Sequence, residues 1–175
     1  MNDFFTKTDL SRKDAESIIS ETLNNCDDGE LYLENSKSES IVLDDDKIKS
    51  SSYSSDLGYG LRAVTGEVVA YSHSNEISKK SLKQSANNLS STLKSQKGIY
   101  NHEIPKTNEK FYKDVNPIEE KSLQSKLDLL KEVNNYTRAK GGIVRQVTAS
   151  FAGEHKSIEI IRSGGEVLTD VRPLI

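Results

Sequence analysis

Apolar and polar positions sort the chain into helical and extended stretches. Ala15, Ile18, Ile19, Thr22 and Leu23 recur at the three-and-four spacing of one helix face. Ser11 before them, with Asp14 three residues on, resembles a capping box in which Asp replaces the usual Glu or Gln. Asn24-Asn25-Cys26-Asp27-Asp28-Gly29 ends this helix, because short polar side chains compete for the backbone and Gly29 tolerates positive φ. Leu31 and Leu33 alternate with Glu30, Tyr32 and Glu34, the period of a half-buried strand. Ser40-Ile41-Val42-Leu43 and Lys47-Ile48-Lys49 flank the acidic corner Asp44-Asp45-Asp46. Residues 56–74 read as a hairpin turning at Thr65-Gly66, where Gly66 supplies the positive φ of a tight turn. Four or five antiparallel strands are expected between residues 30 and 74.

Ser78 caps a second helix, whose narrow apolar stripe is Leu82, Ala86, Leu89 and Leu93. Periodicity disappears over residues 95–115, which read as a long surface connection. A third helix is expected to start at Asn116, with Pro117 in its first position and Glu119 and Glu120 at the positive end of its dipole. Its expected buried stripe is Leu123, Leu127, Leu130, Val133 and Tyr136, and Gly141-Gly142 ends it. Three strands should follow, at 143–152, 157–162 and 166–172, with turns at Gly153-Glu154 and Ser163-Gly164-Gly165. The order helix, strands, helix, helix, strands predicts an α+β fold with an antiparallel sheet and about three helices.

Composition narrows the partners. The 175 residues are 34% apolar, enough for a lean core, and carry a net charge of −3. With 18 Lys, 6 Arg and no basic excess, nucleic acid is not expected as a partner. No apolar run approaches the ~18 residues of a membrane span, and residues 1–6 do not read as a signal peptide. The single Cys26 excludes an internal disulfide and a cysteine-rich zinc cluster, which makes a reducing cytoplasm the expected location.

The candidate chemistry reduces to little. Gly58-Tyr59-Gly60-Leu61-Arg62-Ala63 fits a dinucleotide fingerprint in letters, but a strand rather than a helix N-terminus follows it. The two glycines are better read as room for something to pack closely on the sheet. His102-Glu103 opens like a zinc-binding helix, but Pro105 interrupts it and Lys106 stands where the second His belongs. His73 and His155 have no second ligand at metal spacing and read as solvated polar residues at strand edges. Cys26, beside two acids, reads as structural rather than nucleophilic. Asp44-Asp45-Asp46 with Asp56 lacks the register of a Ca²⁺ loop and reads as a charged turn. Arg62, mid-strand beside the glycine surface, reads as a strand arginine paired to a neighbouring Glu, with an anchoring role as the alternative.

Several runs carry a resemblance. Residues 57–67 and Ala70-Tyr71-Ser72-His73-Ser74, then Asn116-Pro117-Ile118-Glu119-Glu120-Lys121 with Leu127-Asp128-Leu129-Leu130, are similar to the N-terminal domain of the TldD/PmbA family. Gln146-Val147-Thr148-Ala149-Ser150-Phe151-Ala152-Gly153 and Asp170-Val171-Arg172-Pro173-Leu174 resemble its TldD branch. The family, once labelled modulators of DNA gyrase, comprises zinc metallopeptidases. The resemblance implies a cytoplasmic peptidase whose zinc site uses a His-Glu-x-x-x-His helix and a later Cys in a C-terminal domain. It therefore implies that residues 1–175 are a single N-terminal domain, with no catalytic or metal residue of their own and a chain that breaks off before the catalytic part. Its implied partners are a peptide, bound by strand addition, and a PmbA-like subunit or a second copy. The rival expectation is a stand-alone peptide- or protein-binding module without protease activity.

Overall fold

The computed structural model describes residues 4–93, 98 and 111–175. The element order is α1 (Arg12–Leu23), β1 (Asp28–Asp44), β2 (Lys47–Thr65), β3 (Val68–Ser74), α2 (Lys79–Thr92), α3 (Leu123–Arg138), β4 (Thr148–Arg162) and β5 (Val167–Leu174). The strands form one five-stranded sheet in the order β3-β2-β1-β4-β5. The α+β class and the order of helices and strands are as the patterning predicts. The chain divides into two compact units, the first holding Met1–Asn35, Asp56–Phe111 and Ser157–Asp170, the second Ser36–Ser55, Tyr112–Lys156 and Val171–Ile175.

In the first unit, Ser11 caps α1 by accepting from the Asp14 amide, and Ser78 caps α2 in the same way from the Ser81 amide. The apolar stripes of both helices are buried with Leu31, Leu33, Leu61, Ala63 and Ala70 of the sheet. The β2–β3 hairpin turns at Gly66, whose φ is 59°. Cys26 is buried in this core.

In the second unit, Ile41, Leu43, Leu130 and Ala149 make a smaller core with Leu127 and Phe151 against it. The β1–β2 hairpin turns on Asp45 and Asp46, both left-handed at φ 47° and 66°. This two-residue geometry is usually built with Asn or Gly. In this chain it is tied down by side chains: Asp45 accepts from the Val147 amide at 3.0 Å and from Arg138, and Asp44 accepts from Gln146 and Thr148. The acidic corner is thus a charged turn.

Five expectations are corrected. Residues 28–74 form three strands rather than four or five, because β1 and β2 run unbroken for 17 and 19 residues. Residues 148–162 are one strand rather than two: Gly153 does not turn the chain but lies in β4, where an added Cβ would sit 3.3 Å from Ile118. Residues 143–147 are outside any strand. α3 begins at Leu123 under a Ser122 cap, not at Asn116. Asn116 caps only a single turn, taking the Ile118 amide on its side chain and those of Glu119 and Glu120 on its carbonyl, before extended Ser122 interrupts it. The buried line of α3 is Lys126, Leu130 and Asn134, so Leu123, Leu129, Val133 and Tyr136 are exposed.

Candidate functional site

On the face of the sheet away from α1 and α2, β1 presents Asp28, Glu30, Tyr32 and Glu34, alternating with buried Leu31 and Leu33. Opposite them β2 presents Arg62. Its Nε donates to Glu30 at 2.7 Å and its Nη2 to Asp28 at 2.6 Å, while Arg162 donates to the other Asp28 oxygen at 2.9 Å. Burial pushes the Asp28 carboxyl up, but the two guanidinium groups outweigh it and hold it below the usual carboxylate range. The Arg62 guanidinium is held firmly charged by Glu30 and, second, Asp28, against the cost of burial. Arg62 is therefore a paired strand arginine.

Two residues along β2 the side chains vanish. Gly60 pairs with His73 of β3, and Arg62 with Tyr71. The Tyr71 hydroxyl reaches over Gly60, where an added Cβ would lie 2.6 Å from it. Tyr71 in turn stacks on His73 at 5.8 Å between ring centroids. The result is an open trough of about 270 Å³, floored by Gly58 and Gly60 and walled by Tyr32, Glu34, Asp56, Tyr71 and His73. The glycine pair is legible in the sequence as a close-packing surface. The acidic, aromatic walls are not, because they come from three strands.

The second unit holds two buried ionisable side chains. Lys126 of α3 donates to Glu39 and, at 2.6 Å, to the Ile118 carbonyl, and its ammonium lies 5.5 Å from the Phe151 ring centre. His155 is 5% exposed in the interior of β4, not at a solvated edge as expected, and its Nε2 is buried without a hydrogen-bond partner. Burial depresses its pKa; Asp114 and Glu119 push the other way, and Lys37 adds to the depression. An imidazole kept neutral in the fold destabilises it once the unfolded chain takes up the proton. Stability is therefore expected to be full above an ordinary His pKa of ~6.5 and to fall as pH drops below it toward the depressed folded value. Thermal melts between pH 8 and 5 check this: His155→Phe should flatten the slope, and an unchanged slope would count against it.

Two surfaces are left uncovered in this unit. β3 ends opposite Tyr59, so along Lys47–Ser55 that edge of β2 has no strand neighbour among the described residues, and these side chains are exposed. The outer α3 face adjoins a cavity of about 410 Å³ lined by Leu129, Phe151, Pro117 and Ile175. His102, Glu103 and most of the 95–115 connection lie outside the described residues.

Two family models match in chain order. The one described as PmbA/TldA metallopeptidase domain 1 matches residues 29–92, and the PmbA/TldA metallopeptidase central domain matches residues 116–175. The chain belongs to the PmbA/TldD family. Among PmbA/TldD relatives, a metalloprotease TldD homolog of Buchnera aphidicola from Acyrthosiphon pisum is 35% identical over 150 residues, which is 85% of this chain and 31% of the relative. Another from Haemophilus influenzae is 30% identical over 181 residues, 99% of this chain and 37% of the relative. The chain thus spans about a third of the length of the curated relatives it matches. Among solved structures, a protein described as a modulator of DNA gyrase from Thermotoga maritima superposes with TM-score 0.71 at 15% identity, over 92% of this chain and 36% of that one. TldE from Thermococcus kodakarensis superposes with TM-score 0.63 at 13% identity, over 90% and 37%. These likenesses establish the PmbA/TldD fold. The metal that a metallopeptidase implies does not fit the described residues, among which no three His, Cys, Asp or Glu side chains come together as ligands.

Proposed function

We propose that residues 1–175 act as one N-terminal, non-catalytic domain of a TldD-like zinc metallopeptidase, shaping its peptide cleft and a subunit interface. The observation that carries this reading is the open edge of β2 along Lys47–Ser55. Unpaired backbone N–H and C=O groups there suit an extended peptide, which gains main-chain hydrogen bonds whatever its sequence. The exposed Leu129, Val133 and Tyr136 line of α3 suits the interface with a PmbA-like subunit or a second copy. Zinc and the water-activating Glu belong, in this reading, to residues outside this stretch. A lone buried Cys26 suits a cytoplasmic enzyme. No helix among the described residues is long and apolar enough to cross a membrane.

The purified 175-residue chain is expected to retain no zinc in equilibrium dialysis and to cleave no fluorogenic peptide. Added extended peptide should slow amide exchange at residues 47–55. Zinc-dependent cleavage by this chain alone would overturn the non-catalytic assignment; protection confined to other strands would overturn the edge.

A further inference from the structure

We propose that the trough over Gly58 and Gly60 receives the arginine side chain of a partner polypeptide. The inference stands on the first unit alone and does not depend on the peptidase reading. Charge is the first argument. Of the carboxylates on this sheet face, Asp28 and Glu30 are neutralised by Arg62 and Arg162, whereas Glu34 and Asp56 meet no Lys or Arg among the described residues. The trough therefore carries two carboxylates with no cationic partner among the described residues, Glu34 taking one hydrogen bond from the Tyr32 hydroxyl at 2.5 Å, beside Asp28 and Glu30, which are paired.

Shape and chemistry select the cation. Tyr32, Tyr71 and His73 line the trough, the last two stacked on each other, and aromatic rings beside carboxylates favour a planar guanidinium, which stacks and donates in a fork at once. A metal ion is disfavoured because no three ligating side chains converge among the described residues. The cavity, about 270 Å³, holds one long side chain rather than a cofactor. The missing Cβ at Gly60 lets the Tyr71 ring lie close over the strand, and the one at Gly58 admits the Ser74 carbonyl beside it, so the glycines set the aromatic wall against the sheet. A substituent at Gly60 would collide with Tyr71, so the floor and the aromatic wall depend on each other.

The test is a titration of the isotope-labelled 175-residue chain with acetyl-Gly-Arg-Gly-amide, following the amide signals of Gly58, Gly60 and His73. A saturable shift with Kd of about 1 mM is expected. The neutral citrulline analogue should bind at least ~10-fold more weakly, as should the Glu34→Gln/Asp56→Asn double variant, since both remove charge-assisted hydrogen bonds. Glu67→Gln, in the hairpin turn away from the trough, should bind as wild type. Equal shifts with citrulline, unchanged binding by the double variant, or no saturable shift by about 20 mM would overturn the proposal. Equally tight binding of the lysine peptide would overturn the guanidinium assignment.

Discussion

Lys126→Met is expected to lower the melting temperature by about 10 °C, corresponding to ~3–5 kcal/mol. The Lys126 and Glu39 side chains are only 6% and 11% exposed. Removing the ammonium leaves the Glu39 carboxylate and the Ile118 carbonyl without their partner in a small core, while Met preserves most of the packing volume. Thermal unfolding followed by circular dichroism at pH 7 gives the magnitude. Amide exchange gives the place: acceleration should concentrate in Ser36–Ser55 and Tyr112–Lys156. Replacing both partners, as Lys126→Met/Glu39→Leu, should recover most of the loss, because an apolar pair carries no stranded charge. A double variant no better than the single one would show that the pair acts through packing rather than charge.

The second large effect is expected at Arg12→Met, at about 2–4 kcal/mol. Glu159 lies on the buried side of β4 with its side chain 3% exposed, and Arg12 of α1 covers it from the solvent side at 41%. The guanidinium donates to Oε2 at 2.8 Å and lies 2.6 Å from Oε1, with its central carbon 5.3 Å from the Phe5 ring centre. Met keeps the apolar stem over Phe5 and deletes only the charge. Arg12→Lys should lose roughly half as much, since one ammonium cannot reproduce the two-pronged contact. Urea unfolding at pH 7 checks both. A cost below ~0.5 kcal/mol for Arg12→Met would mean that water reaches Glu159 and replaces the arginine.

These two ion pairs also explain what the sequence conceals. α1, α2 and the β2–β3 hairpin are legible because their inward positions are apolar and their caps and turn carry the expected Ser and Gly. β4 is not. Its inward line is Ala149, Phe151, Gly153, His155, Ser157, Glu159 and Ile161, an unbroken alternation whose centre is polar and therefore invisible to a hydrophobic pattern. A Gly-Glu pair in that blank stretch reads as a turn. α3 is hidden for the same reason, since its buried line begins at a lysine and ends at an asparagine while leucines face outward. In β1 and β2, Ser, Lys and Glu fill the stretches around residues 36–40 and 47–56, so two long strands look like several short ones. Of the candidate site, the paired state of Arg62 and the glycine floor are readable locally. The trough walls are not, because their residues meet only through strand pairing.

The position of β1 has a consequence for how the chain is made. β1 lies in the middle of the sheet, between β2, which follows it at once, and β4, which begins roughly a hundred residues later. During synthesis the meander from β1 to β3 and both early helices emerge first, and they carry most of one core between them. The far edge of β1 must then wait for β4, ~5–20 s at ordinary elongation rates. For that interval a 17-residue strand offers its backbone to any neighbouring nascent chain. Polysomes crowded with this message are thus where mispairing is most exposed, and slowing translation after residue 74 should raise the aggregated fraction more than slowing it before residue 28.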